Sequence, residues 1–440
     1  MRDGQWPARP SGPLASRTRG VLPGAPVRAR DPDHTVADLL RMPAMWAFIL
    51  TTACIEFCRG ALFISLLPAY LTGSPDGLGW SVAAVGLVIS GQYLADTVCK
   101  APAGWLVDRF GPWRVLFPSL TLAAVAVYLL PHVHSLGLVA LLAFLFGMGA
   151  SANWPAVLSG SVALGGMRSR ASATSITFLA WLAGGGPGPV LINFLIGRGY
   201  GAAFALLAVV ATGGPVVAAI GWSGALGAVR LPPRGPSPDL RETARDMVRQ
   251  LRAAGWLLPG MFVQMLALGI ILPVLVPFAR THLHLASQAE YGMMLLAGGA
   301  VTVAFLMPFG RMVDRTGSRR PLIAGFGLGA AAVALLAFAH GGPGLLWRVC
   351  LLGFSYALIL PAWNGLTVGK VDSGRRGLVL GLFMAIEGLG IASGSALGGT
   401  LYTAAFRAPF LATAAILAAM ALFYGFVPRQ HFEAPQEGGA

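Results

Sequence analysis

From Ala44 onward the chain repeats one pattern: roughly twenty apolar residues, then a short polar loop. At about 1.5 Å of rise per residue, such a run matches the length a helix needs to cross a hydrocarbon core of about 30 Å. Twelve runs recur, over residues 44–71, 81–103, 115–131, 136–160, 171–196, 201–222, 255–279, 288–309, 321–340, 345–368, 377–402 and 408–427. They are numbered spans 1 to 12. The pattern predicts an all-α membrane protein of twelve transmembrane helices. Residues 1–41 are rich in Arg, Pro and Gly and lack apolar periodicity, so a disordered tail is expected there. Met42 is an alternative start. The run that follows exceeds the roughly 7–15 apolar residues of a cleaved secretory leader. Residues 223–254 form a polar linker between spans 6 and 7, and its RETARDMVRQLR stretch (241–252) reads as a short amphipathic surface helix. Residues 429–440 form a second tail.

Composition agrees. The chain of 440 residues is 56% hydrophobic and 11% charged, against about 25% charged in a soluble domain. A formal charge of +14 suggests nucleic acid at first sight, but its placement is topological. The first tail, the loops after spans 2, 4, 6, 8 and 10, and the last tail carry 25 of the 31 basic residues. By the positive-inside rule, both termini are expected on the cytoplasmic side of a cytoplasmic membrane. Cys54, Cys58, Cys99 and Cys350 lie in apolar runs without metal-ligand spacing, so free thiols are expected. No Ser–His–Asp, metal or nucleotide-loop pattern appears. His132, His134, His282 and His284 fall in loops. Neither an enzyme nor a cofactor is expected.

The two halves repeat. GWLVDRFGPWRVL, from Gly104, and GRMVDRTGSRRPL, from Gly310, align at an offset of 206 residues: Gly104 with Gly310, Asp108 with Asp314, Arg109 with Arg315, Gly111 with Gly317 and Arg114 with Arg320. The same offset pairs Gly147 with Gly353, Pro155 with Pro361, Arg170 with Arg376 and Phe204 with Phe410. The chain reads as a duplicated six-helix unit, 42–222 and 255–428. Pro155 and Pro361 are expected to kink spans 4 and 10 at matched places.

This sequence resembles the major facilitator superfamily, whose signature is the GxxxDRxGxxR loop present here in both halves. The resemblance covers residues 42–430. It implies two pseudo-symmetric six-helix bundles that rock about a solute site near the bilayer midplane, driven by an ion or solute gradient. It also implies that Asp108 faces the start of span 11, near Arg375 to Leu378, where a helix N-terminus favours an anion. Gly104, Gly111, Gly310 and Gly317 would permit close approach and tight turns. Asp314, Arg109, Arg114, Arg315 and Arg320 would complete the paired gating elements.

The candidate chemistry lies in the charges placed inside the apolar runs. Each is expected to cost about 2.5–3.5 kcal/mol at a helix centre. Glu56 and Arg59 sit three residues apart in span 1, and Asp96 and Lys100 four apart in span 2, so each pair shares a helix face. Each pair either neutralises itself along its own helix or faces a wet cavity. In the second reading Arg59 binds an anionic group of the solute, while Glu56, Asp96 or Glu387 of span 11 carries the coupling proton. Gln92, Gln264, Asn153 and Asn364 are further cavity candidates, with helix–helix hydrogen bonding the alternative for the two asparagines. Gly390, Gly394 and Gly398 in span 11 read as close packing.

Within the family, the chain is similar to organophosphate:phosphate antiporters in placing Arg59 nine residues before Pro68 and Lys100 four before Gly104. It departs from them in span 7, which has no Arg. The drug–proton antiporters usually carry an Arg where this chain has Ala143. The expected function is therefore a monomeric secondary transporter of a small organic solute, with proton or counter-substrate coupling. A multidrug antiporter and a transport-inactive receptor are the alternatives. Asp108→Asn is expected to weaken the outward-facing state, measured as greater accessibility of cytoplasmic-side cysteines. Unchanged transport and unchanged accessibility would remove the latch role.

Overall fold

The computed structural model describes residues 35–73, 76–165, 170–227, 229, 255–283, 285, 287–369, 376–428 and 432. Among them, eleven helices are long and apolar enough to cross a membrane: Pro43–Thr72, Val82–Phe110, Pro112–His132, Leu136–Gly165, Ser172–Ile196, Tyr200–Trp222, Leu258–Thr281, Gln288–Thr316, Arg319–Ala337, Gly344–Leu366 and Ala408–Phe426. Arg376–Ala404, a helix of 29 residues, is the twelfth, as span 11. No strand occurs among the described residues. The fold is all-α, with twelve spans in two bundles. The expected surface helix at 241–252 lies outside the described residues.

Glycine sets how closely the helices pack. Spans 7 and 11 run side by side, and a Cβ on Gly390, Gly394 or Gly398 would strike the backbone carbonyl of Phe262, Leu266 or Ile270 in turn. A register of four residues on both helices is one helical turn, so each glycine admits one turn of its neighbour. The first half does the same with spans 1 and 5, where Gly184 abuts Ala53 and Gly188 abuts the carbonyl of Phe57. Gly184 and Gly188 lie 206 residues before Gly390 and Gly394. The offset recurs between spans 2 and 4 and spans 8 and 10: Gly147 rests on the carbonyl of Gln92, and Gly353 on that of Gly298.

Three local expectations change. The signature motif is helical for most of its length. Span 2 continues to Phe110 and span 8 to Thr316, and they end where Gly111 (φ 86°) and Gly317 (φ 77°) enter the left-handed region. Asp108 and Arg109 thus stand on the last helical turn. The matched proline kinks are unequal. Span 4 breaks at Ser151–Ala152, the turn whose carbonyl Pro155 cannot satisfy, whereas span 10 stays helical through Pro361. The tail of 1–41 also gives way before its expected end. Thr35 caps a short helix, Val36–Leu40, whose Leu39 is fully buried with Met45, Ala173 and Ile176.

Gly394→Leu is expected to destabilise the protein by at least about 1–3 kcal/mol, the usual cost of overpacking. Gly327→Ala, where a Cβ meets nothing within 4 Å, serves as the neutral comparison. Thermal unfolding of the purified protein distinguishes them.

Candidate functional site

Span 1 is not a uniform α-helix. It is α-helical over Pro43–Gly60, π-helical over Ala61–Leu66 and α-helical again over Leu67–Thr72. Pro68 offers no N–H to the preceding turn, and Leu67 donates instead to the carbonyl of Leu62, five residues back. Such widened turns recur at functional positions. This one begins two residues after Arg59.

The four charges of spans 1 and 2 form one chain. Arg59 Nε lies 3.7 Å from Glu56 Oε2 on its own helix. Arg59 Nη2 donates across to Asp96 Oδ1 at 3.2 Å. Lys100 Nζ donates to Asp96 Oδ2 at 2.6 Å. Asp96 therefore holds one cation with each carboxylate oxygen, and the set of two acids and two bases is neutral. The sequence separates these residues into two self-contained pairs; the fold joins them through Arg59 and Asp96. Side-chain exposure falls from 22% at Lys100 through 16% at Arg59 and 9% at Glu56 to 4% at Asp96. Accessible surface thus reaches both cations, while Asp96 lies beneath them. Arg59 Nε is buried and makes no hydrogen bond, with Glu56 Oε2 beyond that range at 3.7 Å.

A tryptophan extends the site: Trp363 Nε1 of span 10 donates to Glu387 Oε1 at 3.4 Å, as a buried indole N–H requires. Glu387 lies on the opposite bundle, near enough for the charge of Lys100 to act on it. Thr97, next to Asp96, presses on Gly388, next to Glu387, where a Cβ would collide with the threonine hydroxyl. Spans 2 and 11 therefore touch one residue from Asp96 and Glu387. Among the described residues Glu387 has no ion-pair partner.

Trp363 and Tyr93, which stands close to Arg59, were not expected from sequence. The available signal was an indole and a phenol placed at the depth of the charges, and it does not distinguish a site from ordinary packing. The remaining candidates disperse. Gln92, one turn before Asp96, is fully buried with both amide atoms unpartnered. Asn153 is 1% exposed and donates to Thr52 at 3.5 Å, tying span 4 to span 1. Gln264 is half-buried with its carbonyl unpartnered, and Asn364 is exposed.

Of the gating residues, Arg109 stacks over Trp105 and Phe110 at 5.3 and 5.6 Å. Asp108 is half-buried, and Arg114, Asp314, Arg315 and Arg320 are exposed. A Cβ on Gly104 would sit 3.8 Å from Pro155 Cβ, whereas one on Gly310 meets nothing within 4 Å. The start of span 11 that Asp108 is expected to face includes Arg375, which lies outside the described residues.

Residues 48–256 and 257–440 each match the family described as Major Facilitator Superfamily. The proton-coupled antiporter flippase LtaA of Staphylococcus epidermidis is 25% identical over 380 residues, covering 84% of this chain and 91% of the relative. LtaA of Staphylococcus aureus is 25% identical over 379 residues, with the same coverage. Among solved structures, a peptide transporter POT in complex with sulfate has a TM-score of 0.72 at 15% identity, covering 91% of this chain and 97% of that one. The nucleoside transporter NupG has a TM-score of 0.67 at 15% identity, covering 87% and 98%. At these identities the structural likeness bears on the fold.

Asp96→Asn leaves two cations facing a neutral amide, and breaking a buried pair typically costs about 3–5 kcal/mol. The substitution is expected to lower the unfolding midpoint clearly, and adding Lys100→Met to restore part of the loss. An Asp96→Asn protein as stable as the parent would show that the chain of charges does not hold spans 1 and 2 together.

Proposed function

The chain belongs to the major facilitator superfamily, a family of membrane transporters, and from that premise we propose that it exchanges protons for a small organic solute bearing an anionic group, by alternating access. The observation that carries this reading is the uneven partnering of the mid-membrane charges. Glu56, Arg59, Asp96 and Lys100 neutralise one another on one bundle, while Glu387 stands on the other, beside the contact of spans 2 and 11, with an indole as its hydrogen-bond donor.

Each group then has a distinct task. Arg59 offers the accessible part of its guanidinium to the anionic group, with Lys100 nearby as a second cation. Asp96 positions both cations and stays ionised between them. Glu56 is the counter-ion that Arg59 keeps when no solute is bound. Glu387 has no ion-pair partner among the described residues and stands on the second bundle, so it is the group that takes up and releases the coupling proton. The relatives' description as proton-coupled antiporter flippases supports the coupling and extends the candidate solutes to amphiphiles. Gln264 and Asn364, from spans 7 and 10, supply further polar groups on the second bundle.

The arginine distribution supports both termini on the cytoplasmic face; bundles 42–222 and 255–428, joined by the linker 223–254, act together as a monomer. Asp108, Arg109, Arg114 and their counterparts Asp314, Arg315 and Arg320, with Gly104, Gly111, Gly310 and Gly317, form the cytoplasmic gating elements. A multidrug antiporter would favour cations instead, and a receptor would move nothing.

Two measurements test this. In a thermal-shift screen against organic anions, anionic amphiphiles and cationic drugs, anions are expected to stabilise the protein and Arg59→Gln to abolish that shift. Stabilisation by cations that survives Arg59→Gln would transfer the reading to a drug exporter. In proteoliposomes, Glu387→Gln is expected to lose transport driven by a pH gradient while keeping solute–solute exchange. Gradient-driven transport at the parent rate would remove Glu387 from the coupling step.

A further inference from the structure

At the end of the bundle joined by the arginine-poor loops, termed outer, a network of polar side chains spans the two halves. Arg280, on the turn by which span 7 runs past its expected end at 279 to Thr281, donates from Nη1 to the carbonyl of Ala69 in span 1 at 2.9 Å and from Nη2 to the hydroxyl of Tyr200 in span 6 at 3.2 Å. Gln288, at the start of span 8, donates from Nε2 to Asn193 Oδ1 in span 5 at 2.7 Å. These three bonds cross between the bundles.

Each bundle also holds its own part of the network. On the second, Arg280 Nε donates to Gln288 Oε1 at 3.1 Å. On the first, Tyr200 donates to the Ala69 carbonyl at 2.9 Å and Asn193 Nδ2 to Ser65 Oγ at 2.9 Å. Ser65, Ala69 and Asn193 are fully buried. Ser65 belongs to the π-helical segment that follows Arg59. The approach is close because Gly292 brings span 8 against Asn193, where a Cβ would sit 3.0 Å from the asparagine Cβ.

We propose that Arg280 and Gln288 form the latch that closes the outer gate, with Tyr200, Ala69 and Asn193 as its keeper. This reading rests on alternating access and adds the element that holds one of its two states. Three features support it. The donors all come from one bundle and the acceptors from the other, so parting the bundles breaks only the crossing bonds. The bonds within each bundle persist on opening, so both parts stay preorganised for reclosure. The fold does not itself demand the network: Phe406, 206 residues after Tyr200, has no hydroxyl. Surface depressions beside Arg280, which Asp76 also lines, suggest an outer anion site at first sight. All three guanidinium nitrogens already donate, so the latch accounts for Arg280 without a ligand.

The test is the distance between nitroxide labels at Gly137→Cys and His340→Cys, outer positions on different bundles, with Cys54, Cys58, Cys99 and Cys350 replaced. No solute or gradient is needed, so this result is independent of whether the solute and proton assignments hold. Arg280→Gln is expected to raise the ratio of open to closed outer ends by about tenfold, the scale for losing charge-assisted hydrogen bonds, and Gln288→Ala by about threefold. Arg407→Gln is the comparison, because Arg407 stacks on Phe338 and Phe406 within one bundle; it is expected to change nothing. Unchanged distances in both latch variants, or an equal shift in Arg407→Gln, would overturn the proposal. If Arg280→Gln does not fold, Gln288→Ala decides alone.

Discussion

Asp96 accepts a guanidinium N–H from span 1 and an ammonium N–H from its own helix, and it is nearly inaccessible. A carboxylate at that depth is tenable only with both partners in place, because the surroundings cannot solvate it. The consequence runs outward from that one group. Arg59 must reach across from span 1, so spans 1 and 2 are tied together. Lys100 must turn back toward Asp96, and Glu56 is left to lean on the remaining edge of Arg59. The result is a rigid, neutral polar wall with its two cations nearest to accessible surface.

The duplicated unit supplies the scaffold twice and the chemistry once. The contacts that set helix spacing appear in both halves at the same offset, since Gly147 on Gln92 and Gly353 on Gly298 solve one packing problem in one way. The charges follow no such rule. Four stand on the first bundle and one on the second, and the outer network takes its donors from one bundle and its acceptors from the other. Close packing is a property of each bundle. The polar contacts depend on how the two bundles differ.

Much of the architecture was legible along the chain. Span length, the arginine-poor and arginine-rich loops, the repeat at 206 residues and the glycine run of span 11 all follow from local rules. Twenty apolar residues cover one bilayer, and a glycine every fourth residue leaves a groove. The extent of the signature motif was misjudged, because its polar residues suggested a loop where the helix continues to a glycine with positive φ. The tail boundary was misjudged because a five-residue helix has too little periodicity to register. Of the site, the four charges were identified as two pairs at the correct spacing.

The link between those pairs was beyond the sequence. Whether Arg59 completes its partnership with Glu56 or reaches Asp96 depends on how spans 1 and 2 are set against each other, and the π-helical turn after Gly60 lies beside that contact. Arg280 was one more outer arginine until the fold placed Ala69, Tyr200 and Gln288 around it, from segments up to 211 residues away. Hydrophobic periodicity and charge counts act over one helix and one loop, and they determined the membrane class, the number of spans and the duplication. Partner choice among polar groups needs distances within about 3 Å between distant segments, and only the packed tertiary structure decided those.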